Sequence, residues 1–400
     1  MFSDKRSPSP RSLESERRPV VLQVLPSLVT GGVERGTIDV AAALAEAGWT
    51  ALVASSGGHM QRELDRAGVK HIQLPVHSKN PWVMRANIGR LEQVIAENGV
   101  DIVHARSRAP AWSAFLAAQR AGVHFLTTFH GTYTLGPMGL KKRYNAIMTQ
   151  GEQVIAISHF IADHIQATYR VDPGRIRVIH RGIDLDKFDP GRVSQERIIQ
   201  LAQKWRLPDG CPVIMLPGRL TRWKGQRVLI EALAMLGRRD LRCLLVGSDQ
   251  GRSAYTDELQ ALIERRGLTE VVHVVGECND MPAAYMLTDV VVSASTDPEA
   301  FGRVIVEGQA MGRPVVATDN GAGRENVLDG QTGLLVPPGD VAALALALDR
   351  VLAIGPDERE ARARLAINFV RENFSRELMC ARTLGVYSEL LTGEAPGTGA

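Results

Sequence analysis

Short apolar runs alternate with amphipathic stretches along almost the whole chain, and that rhythm sets the architecture. Val20 to Leu25 is an apolar run of strand length, and Glu34 to Ala47 has helical spacing closed by Gly48. Thr50 to Ala54, Asp101 to His104, Val123 to Thr128, Val154 to Ile157 and Arg175 to Ile179 repeat the strand pattern. Asp184 to Pro212 breaks it with Asp, Pro and Gly around one amphipathic piece. The rhythm then restarts at Val213 to Leu216, Leu241 to Val246, Val271 to Val275, Val290 to Ser293, Pro314 to Ala317 and Gly333 to Val336. Val341 to Leu391 is mostly helical in pattern. Strands separated by helices predict parallel sheets with right-handed crossovers, so the chain reads as two doubly wound α/β domains. Ligands of such sheets bind beyond the carboxyl ends of the strands, which places a site in the cleft between the domains.

Composition narrows this without changing it. The length of 400 residues suits two cores better than one. Hydrophobic residues make up 44% and charged residues 23%, the mix of a folded globular chain. A net charge of +3 gives no reason to expect nucleic acid as a partner. The four cysteines form no C-x-x-C pair and read as reduced, buried thiols. The ten histidines never fall at H-x-x-x-H spacing, so no metal site is expected. Residues 1–18 are rich in Ser, Pro and charge, lack an apolar segment, and read as a disordered tail rather than a secretory signal. No window is long and apolar enough to span a membrane, so the expected location is cytoplasmic.

Four segments carry candidate chemistry. Gly31 and Gly32 sit between the first strand and the first helix; there a backbone could approach an anion, or simply turn. His130 follows the Val123 run at a strand's carboxyl edge, a cleft position that an ordinary surface histidine could also occupy. Arg219 and Lys224 lie in the loop Gly218-Arg219-Leu220-Thr221-Arg222-Trp223-Lys224-Gly225, after the first strand of the second half. A guanidinium fork and a compact ammonium there suit a pyrophosphate, unless the loop is merely a solvated basic one. The fourth segment is Glu299-Ala300-Phe301-Gly302-Arg303-Val304-Ile305-Val306-Glu307. A helix is predicted from Gly302 to Met311, so its free N–H groups form an anion site between two carboxylates, with Glu307 about 8 Å beyond Glu299. Hydroxyls at both ends and phosphates in the middle is the layout of a nucleotide sugar.

These segments resemble the retaining glycosyltransferases of the GT-B fold, the large family four of group 1 glycosyltransferases. The likeness runs from about Val20 to about Leu391 and includes EAFGRVIVE, GRLTRWKG, FHGTY, ISHFIADHI and VIHRGIDLDKFDP. It implies two Rossmann-like domains facing a central cleft: an acceptor-side domain over 19–190, a linker over 191–210, a nucleotide-sugar domain over 211–372, and a C-terminal helix over 373–391 returning to the first domain. It also implies that Arg219 and Lys224 hold the diphosphate and that Glu299 contacts donor sugar hydroxyls beside the N–H groups of Ala300, Phe301 and Gly302. Val304 lies in the same donor wall, and Glu307 would bind the ribose. His130 would stand near the transferred sugar, Gly31 and Gly32 would approach the phosphates, and the segment with Gly276 and Cys278 would pass the nucleobase. Hexosyl transfer with retained configuration follows, without a metal or other cofactor, because Arg and Lys take the place a divalent cation fills in other transferases.

The expected partners are a UDP, GDP or ADP sugar and a glycan or lipid-linked acceptor of lipopolysaccharide or cell-envelope type. Lys141, Lys142 and Arg143, close to Met138 and Leu140, could meet an anionic surface at the cytoplasmic face of the inner membrane, or be a solvated helix end. A nucleotide-sugar epimerase on the same fold and a non-catalytic sugar-nucleotide-binding protein are the alternatives. The intact Glu-x7-Glu segment speaks against the first, and the joint presence of His130, Arg219, Lys224, Glu299 and Glu307 against the second.

Overall fold

The computed structural model describes residues 17–393 apart from residue 30 and the side chain of Leu140. The tail expected over residues 1–18 lies outside the described residues as far as residue 16, while Arg17 Nη2 reaches Asp101 Oδ1 at 3.2 Å.

Seven strands form the first sheet: β1 (Val20–Val24), β2 (Thr50–Ser55), β3 (Lys70–Gln73), β4 (Ile102–Ala105), β5 (His124–Phe129), β6 (Gln153–Ala156) and β7 (Ile176–Val178). Six form the second: β8 (Val213–Pro217), β9 (Arg242–Val246), β10 (Val272–Gly276), β11 (Val290–Ser293), β12 (Val315–Thr318) and β13 (Gly333–Val336). The orders are β3-β2-β1-β4-β5-β6-β7 and β10-β9-β8-β11-β12-β13, and the pairs are parallel. Helices cover both faces, which is why β1, β8 and β11 are buried along their whole length and read as largely apolar runs. Gln23 is the polar exception in β1; its amide donates to the Thr37 carbonyl at 3.0 Å, so its burial is compensated on the donor side.

Two regions differ from the sequence reading. Lys70–Gln73 is a strand with no apolar run to reveal it, because at the sheet edge it is half exposed and carries one aliphatic side chain, Ile72. Residues 195–204, inside the segment read as a linker, are a helix capped by the Ser194 hydroxyl. Arg197 forks onto Asp280 (2.6 and 2.8 Å) and fastens this helix to the second domain. Asp280 in turn caps the helix Met281–Met286 through Ala283 N–H.

The chain crosses back at its end. Ile183 and Ser375 form a parallel bridge, and the helix Arg376–Thr392 then lies on the first domain. Its Tyr387 hydroxyl meets His104 Nδ1 at 2.7 Å, and His104 Nε2 meets the Thr128 hydroxyl at 2.7 Å, so this buried imidazole is fully engaged in structure. Glu389 pairs with Arg177 on the same face.

Candidate active site

Strand order reverses beside the first strand of each sheet: β1 lies between β2 and β4, and β8 between β9 and β11. Loops leave such a point in opposite directions, so a crevice opens beyond the strand ends. The loop after β8 carries Arg219 and Lys224, and the loop after β11 carries Glu299; neighbouring strands therefore bring them together. Gly225 fixes the first loop. Its φ of 74° is left-handed, and an added Cβ would sit 1.8 Å from the Ala294 carbonyl oxygen.

An open cavity between the domains is lined by Arg219, Lys224, Glu299, Ala300, Phe301, Gly302 and Val304 on one wall. His130, Ile157 and Arg181 face them from the other. Lys224 Nζ is paired with Glu299 Oε1 and lies 4.4 Å from the Trp223 ring centroid. The Ser295 hydroxyl donates to the same carboxylate oxygen at 2.6 Å. Arg219 is exposed and makes no ion pair among the described residues.

The segment 299–302 is tied down from behind. The carbonyl of Glu299 accepts Ala322 N–H (2.8 Å), that of Ala300 the Ser158 hydroxyl (2.8 Å), that of Phe301 the Asn326 amide, and that of Gly302 Ile305 N–H (3.0 Å). With four consecutive carbonyls occupied, what the segment offers a ligand is its N–H side, at the start of the helix Arg303–Ala310.

Glu307 is 7% exposed and does not line the cavity. Its Oε2 accepts the Tyr285 hydroxyl (2.9 Å) and its Oε1 accepts Arg303 Nε (2.6 Å), so the partner that an acid in an apolar helix requires is supplied within the chain. Gly31, Gly276 and Cys278 also lie off this cavity, and burial pushes the Cys278 thiol up. Gly32 begins the helix Gly32–Glu46 and lies directly against Arg181: an added Cβ would sit 1.7 Å from its Nη1. The space at the Gly-Gly turn is thus occupied by an arginine from a distant loop, which the motif did not reveal.

His130 is held well below its ordinary pKa, chiefly by burial and then by the Arg181 charge. Arg181 Nη2 lies 2.9 Å from His130 Nδ1. A guanidinium can only donate, so Nδ1 is the acceptor and the single proton of the neutral ring sits on Nε2. Nε2 is buried without a protein partner, a donor held in reserve at the cleft.

The domains touch at one end of the cleft. Glu325 of the second domain accepts the backbone N–H groups of His159 and Phe160 (both 2.7 Å) and meets His180 Nε2 at 2.8 Å. His159, His180 and Glu325 are close enough to share a cation, with ligand atoms within 4.8 Å of one another, but both Glu325 oxygens already serve as acceptors. The sequence's one Asp-x-Asp, Asp184-Leu185-Asp186, lies outside the cleft lining, with Asp184 on Arg376 and Asp186 on Arg192. Lys141, Lys142 and Arg143 are exposed beside Met138, which is 95% exposed. Among the described residues no helix is long and apolar enough to cross a membrane.

Sequence and fold comparisons identify the family. Residues 30–187 match Glycosyltransferase Family 4 and residues 198–368 match Glycosyl transferases group 1. A D-inositol 3-phosphate glycosyltransferase of Xylanimonas cellulosilytica is 31% identical over 319 residues, covering 76% of this chain and 75% of the relative. The crystal structure of a glycosyltransferase from Rickettsia africae superposes with a TM-score of 0.87 at 41% identity, over 94% of this chain and 100% of that one. HepE of Anabaena, solved in complex with UDP-glucose, has the same fold at 24% identity, with a TM-score of 0.80 over 92% of this chain and 99% of that one. The chain therefore belongs to the group 1 glycosyltransferases, enzymes of the GT-B fold.

Proposed function

We propose that this enzyme transfers a sugar from a nucleotide diphosphate to a glycan or lipid-linked acceptor, with retention at the anomeric carbon and without a metal ion. The observation that carries the reading is one wall of one cleft: Arg219, Lys224, Glu299 and the N–H side of 300–302 converge there, opposite His130. As the anomeric C–O bond breaks, its electron pair goes to the diphosphate oxygen. Arg219, Lys224 and the peptide N–H groups are already in place to meet that charge, which makes their stabilisation effective in the transition state. The acceptor hydroxyl attacks from the same face and passes its proton to the departing phosphate. Lys224 would exchange part of its contact with Glu299 for phosphate, freeing Glu299 for sugar hydroxyls. His130, neutral with its proton on Nε2, donates to a sugar oxygen rather than acting as a base. Ribose hydroxyls would replace Arg303 on Glu307, and Gly276 and Cys278 would border the base.

UDP is the first donor to test, since HepE was crystallised with UDP-glucose. The relatives named for D-inositol 3-phosphate make a small phosphorylated polyol one acceptor class, and a lipopolysaccharide-type acceptor is another. The test is nucleotide release from UDP, GDP and ADP sugars with and without EDTA. Activity that EDTA abolishes and Mg²⁺ restores would overturn the metal-free mechanism.

The enzyme is further proposed to work in the cytoplasm at a membrane surface. Trp82 (80% exposed) and Met138 (95%) lie on segments that both anchor on one helix, through Ser113 Oγ to Met84 O and Trp112 Nε1 to Tyr144 O. With Lys141, Lys142 and Arg143 they form an apolar and basic face suited to anionic lipid. Flotation with phosphatidylglycerol vesicles should fail when the three basic residues are changed to Gln. Flotation equal to that of the wild type would refute the membrane role.

A further inference from the structure

We propose that the acceptor carries a phosphate or carboxylate, seated in a second cavity beneath His130 by the guanidiniums of Arg106 and Arg181. This rests on the transferase reading above and names the substrate class for it.

This second, much tighter cavity adjoins the cleft, lined mostly by the first domain, with Phe301 and Arg303 of the second domain and Met379 and Thr383 of the last helix closing it. It shares His130, Ile157, Arg181, Phe301 and Arg303 with the cleft, so a small anionic group seated in it leaves the rest of its molecule in the cleft beside the reacting centre. Four arginines line it, and their partners divide them into two kinds. Arg35 is neutralised by a two-pronged contact with Glu63 (2.5 and 2.9 Å), and Arg303 by Glu307 (2.6 Å). Arg106 and Arg181 have no carboxylate partner among the described residues, and the Nε of each is buried without an acceptor. Arg106 is only 4% exposed. Among the described residues the one side-chain hydrogen-bond partner of Arg181 is the neutral His130.

A buried charge without a counter-ion is costly, on the order of several kcal/mol, and two that face each other are costlier. The strain is visible in Arg181, whose pKa falls to about 10, mainly through burial and then through repulsion by Arg106 and Arg303. Asp39 lines the same cavity and offsets the Arg106 charge only from a distance, without an ion pair among the described residues. It contacts neither guanidinium, and burial pushes its carboxyl up to about 6. An anionic group entering the cavity would supply the missing charge and meet planar forks that match phosphate and carboxylate alike. Asp39 is then left to accept a hydroxyl of the same molecule.

The donor does not account for these groups. Its phosphates are assigned to Arg219 and Lys224 on the opposite wall, and Arg106 lines only the inner cavity. The acceptor is the molecule that must enter on the His130 side.

The test is titration calorimetry on the full-length enzyme saturated with UDP, using glucose 6-phosphate, glucuronate, inorganic phosphate and glucose as probes. At least one of the two sugar anions should bind at least about tenfold more tightly than glucose. Whether glucose 6-phosphate or glucuronate binds better distinguishes a phosphate from a carboxylate. Arg106→Gln should remove the preference while leaving UDP affinity unchanged. Arg106→Lys keeps the charge but not the fork, and should retain part of the preference if Arg106→Gln fails to fold. Equal or absent binding of the sugar anions relative to glucose would overturn the proposal, as would binding unaffected in both Arg106 variants. Displacement of UDP by the anions would assign the cavity to donor phosphate and overturn it too. Inorganic phosphate binding as tightly as glucose 6-phosphate would reduce it to a free-anion site. A wild type that binds no nucleotide would sink the donor reading instead, and the same titrations without UDP would still decide this one.

Discussion

The two walls of the cleft differ in how their polar groups are spent. On the second domain, Lys224 is paired with Glu299, and Glu307 behind the wall with Arg303 and Tyr285, while Arg219 has no ion pair among the described residues but stands in solvent. On the first, Arg181 Nε and His130 Nε2, with Arg106 Nε in the cavity beneath them, are buried without a partner among the described residues. A wall paired within itself binds a ligand by exchange, losing one contact for each one gained, which favours selectivity over raw affinity. A wall with unsatisfied groups gains on binding what folding left unmet. The donor side is therefore expected to tolerate an empty state, and the acceptor side to be stabilised when filled.

The largest break in this contrast should come from Lys224. Lys224→Ala leaves Glu299 without its counter-ion, held by the Ser295 hydroxyl, and removes positive charge from beside the leaving group, so kcat should fall roughly 10²- to 10³-fold in a nucleotide-release assay. An unchanged kcat would remove Lys224 from the chemistry. Glu307→Ala strands the buried Tyr285 hydroxyl and frees Arg303. Stability should drop by about 1–3 kcal/mol, and KM for the donor should rise more than kcat falls. A fall in kcat with KM unmoved would contradict the ribose role.

Asp39 sharpens the other wall. Its folded pKa of about 6 lies above the unfolded value, so between roughly pH 4 and pH 6 the folded state binds more protons. Its contribution is therefore lost as pH rises through that window, and at pH 7 the charged form is a burden. Asp39→Asn should raise the denaturation midpoint at pH 7, by an amount on the order of 1–3 kcal/mol, and flatten the slope between those pH values. A variant less stable at pH 7 would mean that the carboxylate has a partner after all. The smallest effect is spectroscopic. His130 should stay neutral far below pH 6.5 with its proton on Nε2, which ¹⁵N chemical shifts report. Gly32→Ala, by displacing Arg181, should disturb that tautomer with little loss of fold.

Much of this was legible in the chain. Strands buried on both faces announce themselves as apolar runs, and so β1, β8, β9, β11 and β12 are visible within a residue or two. Edge strand β3 is not, because Lys70–Gln73 has one face in water and a single aliphatic residue. The donor wall could be read from EAFGRVIVE and GRLTRWKG because each lies in one short segment, where spacing translates into geometry. Arg106, Arg181 and Asp39 could not be joined in the same way. They come from three separate loops and helices, and nothing local marks them as neighbours. Tyr285 as the partner of Glu307 was hidden for the same reason: a partner 22 residues away leaves no periodic trace.

The return of the last helix to the first sheet has a consequence for synthesis on the ribosome. His104 finds one of its two hydrogen-bond partners in Tyr387, and Arg177 finds its counter-ion in Glu389, close to the end of the described chain. The first half emerges early but cannot complete its core until the helix Arg376–Thr392 has followed the second domain, whereas the second half is self-sufficient sooner. A nascent chain stalled before residue 375 should therefore hold a protease-resistant second domain beside a first domain that is still easily cut.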